Sequence, residues 1–523
     1  MKDQISKISI EKKLLIQIIS SAANRDVYIL KGFRLKRDFG DELINIEDYQ
    51  KFKIMPIDKN FGNIDVQSLV DVTVDLQNVF LNFIRYFGET KAKDKLNENE
   101  VINGVLNIFR ACNMYHNIKN AYDTAIWENG YITYDQFNKR IDIKFKDPTR
   151  VLCIRAGDIR LKRNVSAAIV DFEEEWKNNN NIRALVERSY SQYKKNVKLH
   201  RVKFNSGYIR YSLRNGVETE TLYLTEIMQI HLDVYYPFIS TDYLPRLDNL
   251  NINNLIVIFS EIHYLFKHIR EIDGIETKVN TLSDYTRFTA QIREDDLVNY
   301  LTSKTTFSKN QIKQFINLLT YSGGRYDLWK TPFIKTDDYY IISLLNIVDA
   351  NILYLVDVWL NLGGYSLEDR GVLFENYIKQ DLSSELRTKK FQYKIPKTNK
   401  FKNSKKQTEE IDIIINTKHT VIFGEIKCIT YPLEPRDYSN ALKRIQRGVK
   451  QIIRKTNFVL DNEEDFKSII GEYRGKEIVK LVITNYPFFT SIMFDNVVIV
   501  DYYLLKAYVK AGQLVKMKID FRD

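Results

Sequence analysis

Residues 409–428, EEIDIIINTKHTVIFGEIKC, contain two apolar runs joined by a short polar stretch. Runs of this length, rich in Ile and Val, are typical of two buried strands that pair with each other. Three charged residues interrupt the pattern: Asp412 opens the first run, and Glu425 and Lys427 end the second. Because side chains alternate along a strand, Glu425 and Lys427 share one face, and hairpin pairing can bring Asp412 beside them. The stretch therefore predicts two carboxylates and an amine at one edge of a buried sheet.

Such a group of charges suits metal-assisted chemistry on phosphates. Carboxylate oxygens that leave room for water and phosphate are what Mg²⁺ prefers, and a bound Mg²⁺ polarises a phosphate and lowers the pKa of its water. Asp412 and Glu425 are therefore candidate metal ligands, and Lys427 is a candidate for serving the attacking water. The alternative is an ordinary Glu–Lys ion pair at a solvated strand end, which is common for any isolated Glu-x-Lys.

The elements around the two strands predict an α/β sandwich with a central mixed sheet. One helical pattern precedes them over residues 367–386, another follows over 438–455, and two more strands and a last helix complete the order. Glu375 lies within the apolar stripe of the first helix, where an acid is costly unless its charge is used. With Leu442 as the reference for the second helix, Gln446 falls at the edge of the apolar stripe. We therefore expect Gln446 to face the site and Gln451 to point into solvent.

These residues resemble the PD-(D/E)XK nuclease superfamily, which has the restriction-endonuclease-like fold. The resemblance covers roughly residues 367–508, and Ile411 stands where many members have the proline of the motif. The catalytic residues that it implies are Asp412, Glu425, Lys427, Glu375 and Gln446. It also implies Mg²⁺ as cofactor, with Mn²⁺ as a substitute, and a DNA endonuclease of prokaryotic defence or restriction. A nucleic-acid-binding or scaffold protein that keeps this fold without cleaving, or an RNase, stays open as an alternative.

The basic residues are concentrated around this region. The chain has a net charge of +11, and residues 371–460 hold 19 Lys and Arg against 9 Asp and Glu. A basic excess confined to one region favours nucleic acid as the partner. Residues 397–406 form a loop with five lysines and no acid. The candidate nucleic-acid contacts are Lys397, Lys400, Lys402, Lys405, Lys406, Arg444 and Arg447.

The remaining chain predicts a multidomain α+β protein. Residues 1–272 are expected to form a helical and mixed region for recognition, regulation or assembly with a partner protein or a second copy. Residues 273–364 carry helix, helix and hairpin patterns in the order of a winged helix, with the hairpin turning at Asp337-Asp338. Residues 365–523 are expected to form the nuclease-like domain. In the first region Asn215-Gly216 predicts a hairpin turn.

Composition excludes several other classes of protein. Three widely spaced cysteines without a Cys-x-x-Cys motif argue against a structural zinc site and for a reducing compartment. The most apolar helical pattern, residues 344–362, contains two aspartates and favours a buried helix over a membrane span. The first residues lack the apolar core of a signal peptide. We therefore expect a cytoplasmic protein without membrane contact.

Overall fold

The computed structural model describes residues 12–34, 43–45, 63–86, 98–137, 140–239, 241–272, 275–276, 281, 283–324, 326–388, 393–396, 398–490 and 493–511. The fold is mixed α+β. The chain divides into two compact units, and neither is continuous in sequence. Unit 1 consists of residues 1–120, 181–228 and 247–359, and unit 2 of residues 121–180, 229–246 and 360–523.

Helices within the described residues are α1 (Lys12–Arg34), α2 (Val66–Tyr86), α3 (Glu98–Trp127), α4 (Pro148–Asn178), α5 (Asn180–Ser189), α6 (Glu220–Tyr235), α7 (Ile252–Arg270), α8 (Glu294–Lys304), α9 (Lys309–Leu318), α10 (Leu344–Val348), α11 (Ile352–Leu362), α12 (Leu367–Thr388), α13 (Pro435–Asp461), α14 (Glu463–Ile470) and α15 (Tyr502–Ala511). Local capping explains several starts. Ser308 and Gln311 form a capping box at α9, and Pro435 occupies the first turn of α13, where its missing N–H costs nothing. None of the described helices has the length and apolar character that crossing a membrane requires.

Strands within the same residues are β1 (Leu43–Asn45), β2 (Asn63–Asp65), β3 (Gly130–Asp135), β4 (Arg140–Phe145), β5 (Val197–Asn205), β6 (Tyr208–Asn215), β7 (Gln291–Arg293), β8 (Phe333–Thr336), β9 (Tyr339–Ile342), β10 (Tyr393–Lys394), β11 (Lys400–Lys402), β12 (Thr408–Glu410), β13 (Ile413–Thr417), β14 (Thr420–Lys427), β15 (Glu477–Thr484), β16 (Met493–Phe494) and β17 (Val497–Asp501).

Unit 1 contains a five-stranded sheet in the order β5-β6-β7-β9-β8. The turn between β5 and β6 is Ser206-Gly207, and both residues have positive φ (49° and 82°), which suits a two-residue hairpin turn. The turn predicted at Asn215-Gly216 is therefore wrong. Asn215 ends β6, and the N–H of Gly216 donates to the carbonyl of Asn196, so this pair closes the open end of the hairpin.

The predicted order of helix, helix and hairpin is present as α8, α9 and β8–β9, with the turn at Asp337-Asp338. This hairpin is not an independent wing. Its strand β9 pairs with β7, and β7 continues to β6, so the hairpin forms one edge of the five-stranded sheet. Residues 273–359 therefore belong to unit 1 and are not a separate domain.

Unit 2 is built around a six-stranded mixed sheet in the order β10-β13-β14-β15-β17-β16. The central pairs β14–β15 and β15–β17 are parallel, and the outer pairs are antiparallel. Apolar residues of α12 and α15 pack on one face of the sheet, around Ile426 and Ile483. Helix α13 packs on the opposite face, where Gly448 lies against the side chains of Lys427 and Val482. Helices therefore lie on both faces of this mixed sheet.

Unit 2 also recruits two segments from outside the predicted 365–523 domain. Arg160 of α4 forms an ion pair with Asp501 at the end of β17. The ring of Phe238 lies 4.9 Å from that of Phe374, measured between centroids. The predicted boundary near residue 365 is close to the division at residue 360, but the division of the chain into consecutive domains misses these insertions. Sequence periodicity could not show that these segments belong to unit 2, because only contacts between residues far apart in the chain place them there.

Candidate active site

The site lies where β13 begins and β14 ends. Antiparallel pairing places Ile413 opposite Gly424, so Asp412 lies beside the C-terminal end of β14. Gly424 permits this approach, because a Cβ at this position would lie 2.4 Å from Ile413 Cγ2. Ile426 belongs to the core around α12 and α15, so alternation directs Glu425 and Lys427 to the α13 face. The expected convergence at one sheet edge is present.

Hydrogen bonds fix the three charged side chains. Oδ2 of Asp412 accepts the backbone N–H of Ile426 at 2.7 Å. The ammonium group of Lys427 donates to Oε1 of Glu425, also at 2.7 Å. The Glu425 side chain is 2% exposed and that of Lys427 is 18% exposed, so Lys427 is the member nearer to solvent.

A second lysine completes the cluster, and sequence reasoning missed it. Nζ of Lys455, on α13, lies 2.5 Å from Oε2 of Glu425 and 3.5 Å from Oδ1 of Asp412. Its side chain is 8% exposed. The available signal was its position on the helix, since Lys455 follows Ile452 by three residues and lies on the buried stripe of α13. An isolated lysine at the end of such a stripe is usually solvated, so the signal is weak without the fold.

Burial and mutual repulsion act on the carboxylates. Burial, and next the charge of Asp412, raise the pKa of Glu425 above its ordinary value, although the two lysines oppose this. Burial alone would lower the pKa of Lys455. The charges of Asp412 and Glu425 outweigh burial and raise it, so Lys455 stays protonated at neutral pH. The cluster is thus two carboxylates and two ammonium groups that are largely buried.

Glu375 does not join this cluster. Its carboxylate pairs with Lys379 one turn later on α12, and its side chain is 27% exposed. Within the described residues, no hydrogen bond or ion pair joins Glu375 to Asp412 or Glu425. Its predicted catalytic role therefore rests on the family resemblance alone.

The orientation predicted for the two glutamines of α13 is wrong. Gln446 is exposed, whereas Gln451 is half-buried, and its Oε1 is shielded from solvent without a hydrogen-bond partner in the described part of the chain. Gly448 lies against Lys427 of β14, and both Gln451 and Lys455 lie within about 60° of Gly448 around the helix axis, at 100° per residue. Gln446 lies about 160° from Gly448. Gln451 is therefore the glutamine on the side of the site.

Asp412 and Glu425 are the residues that could hold a metal ion. Across the described residues, no three or more His, Cys, Asp or Glu side chains gather as a metal-binding group. One oxygen from each of the two carboxylates, however, points to the single Nζ of Lys455. Two carboxylates with water and phosphate completing the shell is a common arrangement for Mg²⁺. The donor set therefore fits this ion.

The predicted basic loop is a hairpin, β11–β12, against α13 and α14. The hairpin is held where the backbone N–H of Ser404 donates to Asp465 (2.9 Å) and where the side chain of Glu409 pairs with Arg454 (3.0 Å). Lys397 lies outside the described residues. The four other lysines predicted to contact nucleic acid are exposed, namely Lys400, Lys402, Lys405 and Lys406.

Helix α13 adds a basic ridge that the sequence analysis captured only in part. Its exposed members recur at helical spacing and are Arg436, Lys443, Arg447, Lys450 and Arg454. Arg444, also predicted to bind nucleic acid, is half-buried and lies 3.7 Å from Glu368. The hairpin and the ridge meet at the Arg454–Glu409 ion pair, so they form one basic surface.

Comparisons of the chain with protein-family models, with curated proteins and with solved structures found no match.

Proposed function

We propose that unit 2 is a Mg²⁺-dependent endonuclease that hydrolyses phosphodiester bonds in DNA. The observation that carries the proposal is the convergence of Asp412, Glu425 and Lys427 at one sheet edge. The resemblance to PD-(D/E)XK nucleases agrees with this arrangement. A role in prokaryotic defence or restriction is part of the proposal on the same resemblance.

Each side chain has a distinct role in this proposal. Asp412 and Glu425 would hold Mg²⁺, which supplies polarisation of the phosphate and a water of lowered pKa. The hydrogen bond from Ile426 N–H fixes the orientation of Asp412 and leaves Oδ1 directed toward the cluster. Lys427 is the charged group of the cluster that is most open to solvent, so its ammonium can orient an incoming water or hold a phosphate oxygen.

The basic surface supports a nucleic-acid substrate. The ridge from Arg436 to Arg454 extends about 27 Å at the rise of an α-helix, comparable to the phosphates of about eight base pairs. The hairpin adds four exposed lysines at one end of the ridge. Phosphate contact of this kind supplies affinity without sequence information, so the surface supports a polyanion and not a particular recognition sequence.

One observation favours a second candidate, a nucleic-acid-binding protein that does not cleave. Lys455 and Lys427 together balance the charge of Asp412 and Glu425. A buried ion network of this kind can serve the fold alone. Under this reading the basic surface binds nucleic acid and the charged cluster stabilises the sheet edge.

Cleavage assays separate the candidates. Full-length protein is incubated with plasmid DNA and with RNA, with Mg²⁺ or with EDTA. We expect Mg²⁺-dependent nicking of DNA that Lys427→Met abolishes while DNA binding is retained. Lys418→Met, at the exposed turn of the same strand pair, is the matched control and should cleave normally. Absence of cleavage of both substrates would favour the binding protein, and cleavage of RNA alone would make the enzyme an RNase.

A further inference from the structure

We infer that Lys455 is a built-in competitor of the metal ion: its ammonium group uses the carboxylate oxygens that a divalent cation would need, so the cation binds only when Lys455 moves away. The inference rests on the proposed metal site and names a residue that controls it. Lys455 would thereby set the metal affinity of unit 2.

The hydrogen bonds leave one available oxygen on each carboxylate. Oδ2 of Asp412 is engaged by Ile426 N–H, and Oε1 of Glu425 is engaged by Lys427. The remaining oxygens, Oδ1 of Asp412 and Oε2 of Glu425, are the two that approach Nζ of Lys455. A cation that bridged the carboxylates would need this same pair of oxygens.

Charge balance prevents the ammonium group of Lys455 and a divalent cation from occupying the site together. Two carboxylates and two ammonium groups sum to zero, and three of the four side chains are at most 10% exposed. A divalent cation added beside Lys455 would leave a net charge of +2 in this space, and unbalanced buried charge is strongly unfavourable. Departure of Lys455 reduces this excess and frees both oxygens in one step.

Helix α13 provides an acceptor for the displaced ammonium group. Gln451 precedes Lys455 by four residues, so the two side chains are neighbours on the helix. Its Oε1 is shielded from solvent and accepts no hydrogen bond in the described structure. The four-carbon stem of Lys455 is flexible enough to turn from the carboxylates toward Gln451 without a change in the helix.

The inference predicts opposite effects of one substitution on metal affinity and on metal-free stability. Lys455→Met removes the competitor, so Mn²⁺, used as the probe, should bind at least about tenfold more tightly than to wild type, which is about 1.4 kcal/mol of binding free energy. Without metal the same variant leaves two buried carboxylates facing one lysine, so its Tm should fall. Saturating Mn²⁺ should then raise the Tm of the variant more than that of wild type.

Isothermal titration with Mn²⁺ and thermal unfolding in EDTA or Mn²⁺ test this on the full chain. Lys418→Met is the control and should match wild type, and Lys455→Met combined with Asp412→Asn should lose the gain in affinity. If Lys455→Met does not fold, Lys455→Gln replaces it, because a neutral amide can still donate a hydrogen bond to Glu425. Equal, weaker or absent Mn²⁺ binding in the Lys455 variants would overturn the inference.

The outcome is independent of the cleavage assay. Wild type that cleaves DNA while Lys455→Met shows unchanged Mn²⁺ affinity overturns the inference alone. Tighter Mn²⁺ binding by Lys455→Met in a protein that cleaves neither DNA nor RNA supports the inference and overturns the proposed nuclease.

Discussion

Arg160 and Asp501 form an ion pair within unit 2, between α4 and the end of β17, and the Asp501 side chain is completely buried. Asp501 also accepts the N–H of Leu504 at 3.0 Å, so it caps the first turn of α15. Burial raises the pKa of Asp501 above its ordinary value, although Arg160 opposes this. The pair therefore attaches α4, which lies far from β17 in the sequence, to the central sheet.

Arg160→Met should destabilise the protein by about 3–5 kcal/mol, because it leaves an unpaired buried carboxylate. The measurement is the free energy of unfolding in urea, with Arg163→Met, an exposed arginine on the same helix, as the control. Adding Asp501→Asn should recover part of the loss, since an asparagine keeps the helix cap without the charge. Equal stability of the Arg160 and Arg163 variants would mean that the pair contributes nothing.

Gly448→Val should reduce cleavage by roughly 100-fold with little effect on DNA affinity, because displacement of a reacting group by about 1 Å can cost this much. A Cβ at Gly448 would lie 3.2 Å from Lys427 Cγ and 3.3 Å from its Cε, so the larger side chain would move the Lys427 ammonium. Gly371→Ala, in α12, is the matched control: its Cβ would meet only Arg444, at 3.9 Å. The control should cleave normally and gain up to about 1 kcal/mol of stability. Full activity of Gly448→Val would remove Lys427 from the mechanism.

Replacing Lys402, Lys405 and Lys406 with serine should flatten the salt dependence of DNA binding. Each phosphate contact on duplex DNA contributes roughly 0.9 to the slope of log affinity against log salt, so the slope should fall by up to about 2.7. The charge-matched control replaces Lys146, Lys162 and Lys177, which are exposed elsewhere in unit 2. Affinities from 50 to 300 mM salt, about the usual range for such titrations, give both slopes. Identical slopes for the two triple variants would place the hairpin away from the substrate.

Strand alternation was sufficient to predict the sheet edge. Period-two geometry places Glu425 and Lys427 on one face whatever the rest of the fold, and hairpin pairing then brings Asp412 near. Lys455 could not be predicted in the same way, because its partners Asp412 and Glu425 lie on two segments much earlier in the chain. Only the packing of α13 against β14 decides that this lysine is buried while Lys450 is exposed.

The error in the glutamines has a specific physical origin. Leu442, the reference for the predicted helix phase, is only half-buried, whereas Gly448 is buried against Lys427 and Val482 of the sheet. Because glycine has no apolar side chain, the hydrophobic pattern does not mark Gly448 as part of the buried face. The hairpin turn predicted at Asn215-Gly216 was wrong for a different reason. The dipeptide suits such a turn, but the two paired strands are joined by Ser206-Gly207, whose φ angles are both positive.

The last prediction concerns unit 1, where Glu261 is completely buried with Lys304. Nζ of Lys304 lies 3.6 Å from both Glu261 and Glu218, and Tyr300 donates to Glu261 Oε2 at 2.9 Å. Burial raises the pKa of Glu261 from 4.5 to about 7, although Lys304 and Tyr300 oppose this. Because the pKa of the folded state is raised, the folded protein binds this proton more tightly than the unfolded chain does. The stabilising contribution is complete below pH 4.5 and is lost as the pH rises through about 7.

Glu261→Gln removes this titration, so the stability of wild type relative to the variant should fall between pH 4.5 and about 7 and change little above that range. Free energies of unfolding in urea, measured for both proteins across pH 4 to 8, give the difference directly. Glu271→Gln, which removes a half-exposed carboxylate near the end of α7, is the control for the loss of one acid. Parallel pH profiles for wild type and Glu261→Gln would show that Glu261 keeps the same charge in the folded and unfolded chains, and that Lys304 offsets its burial completely.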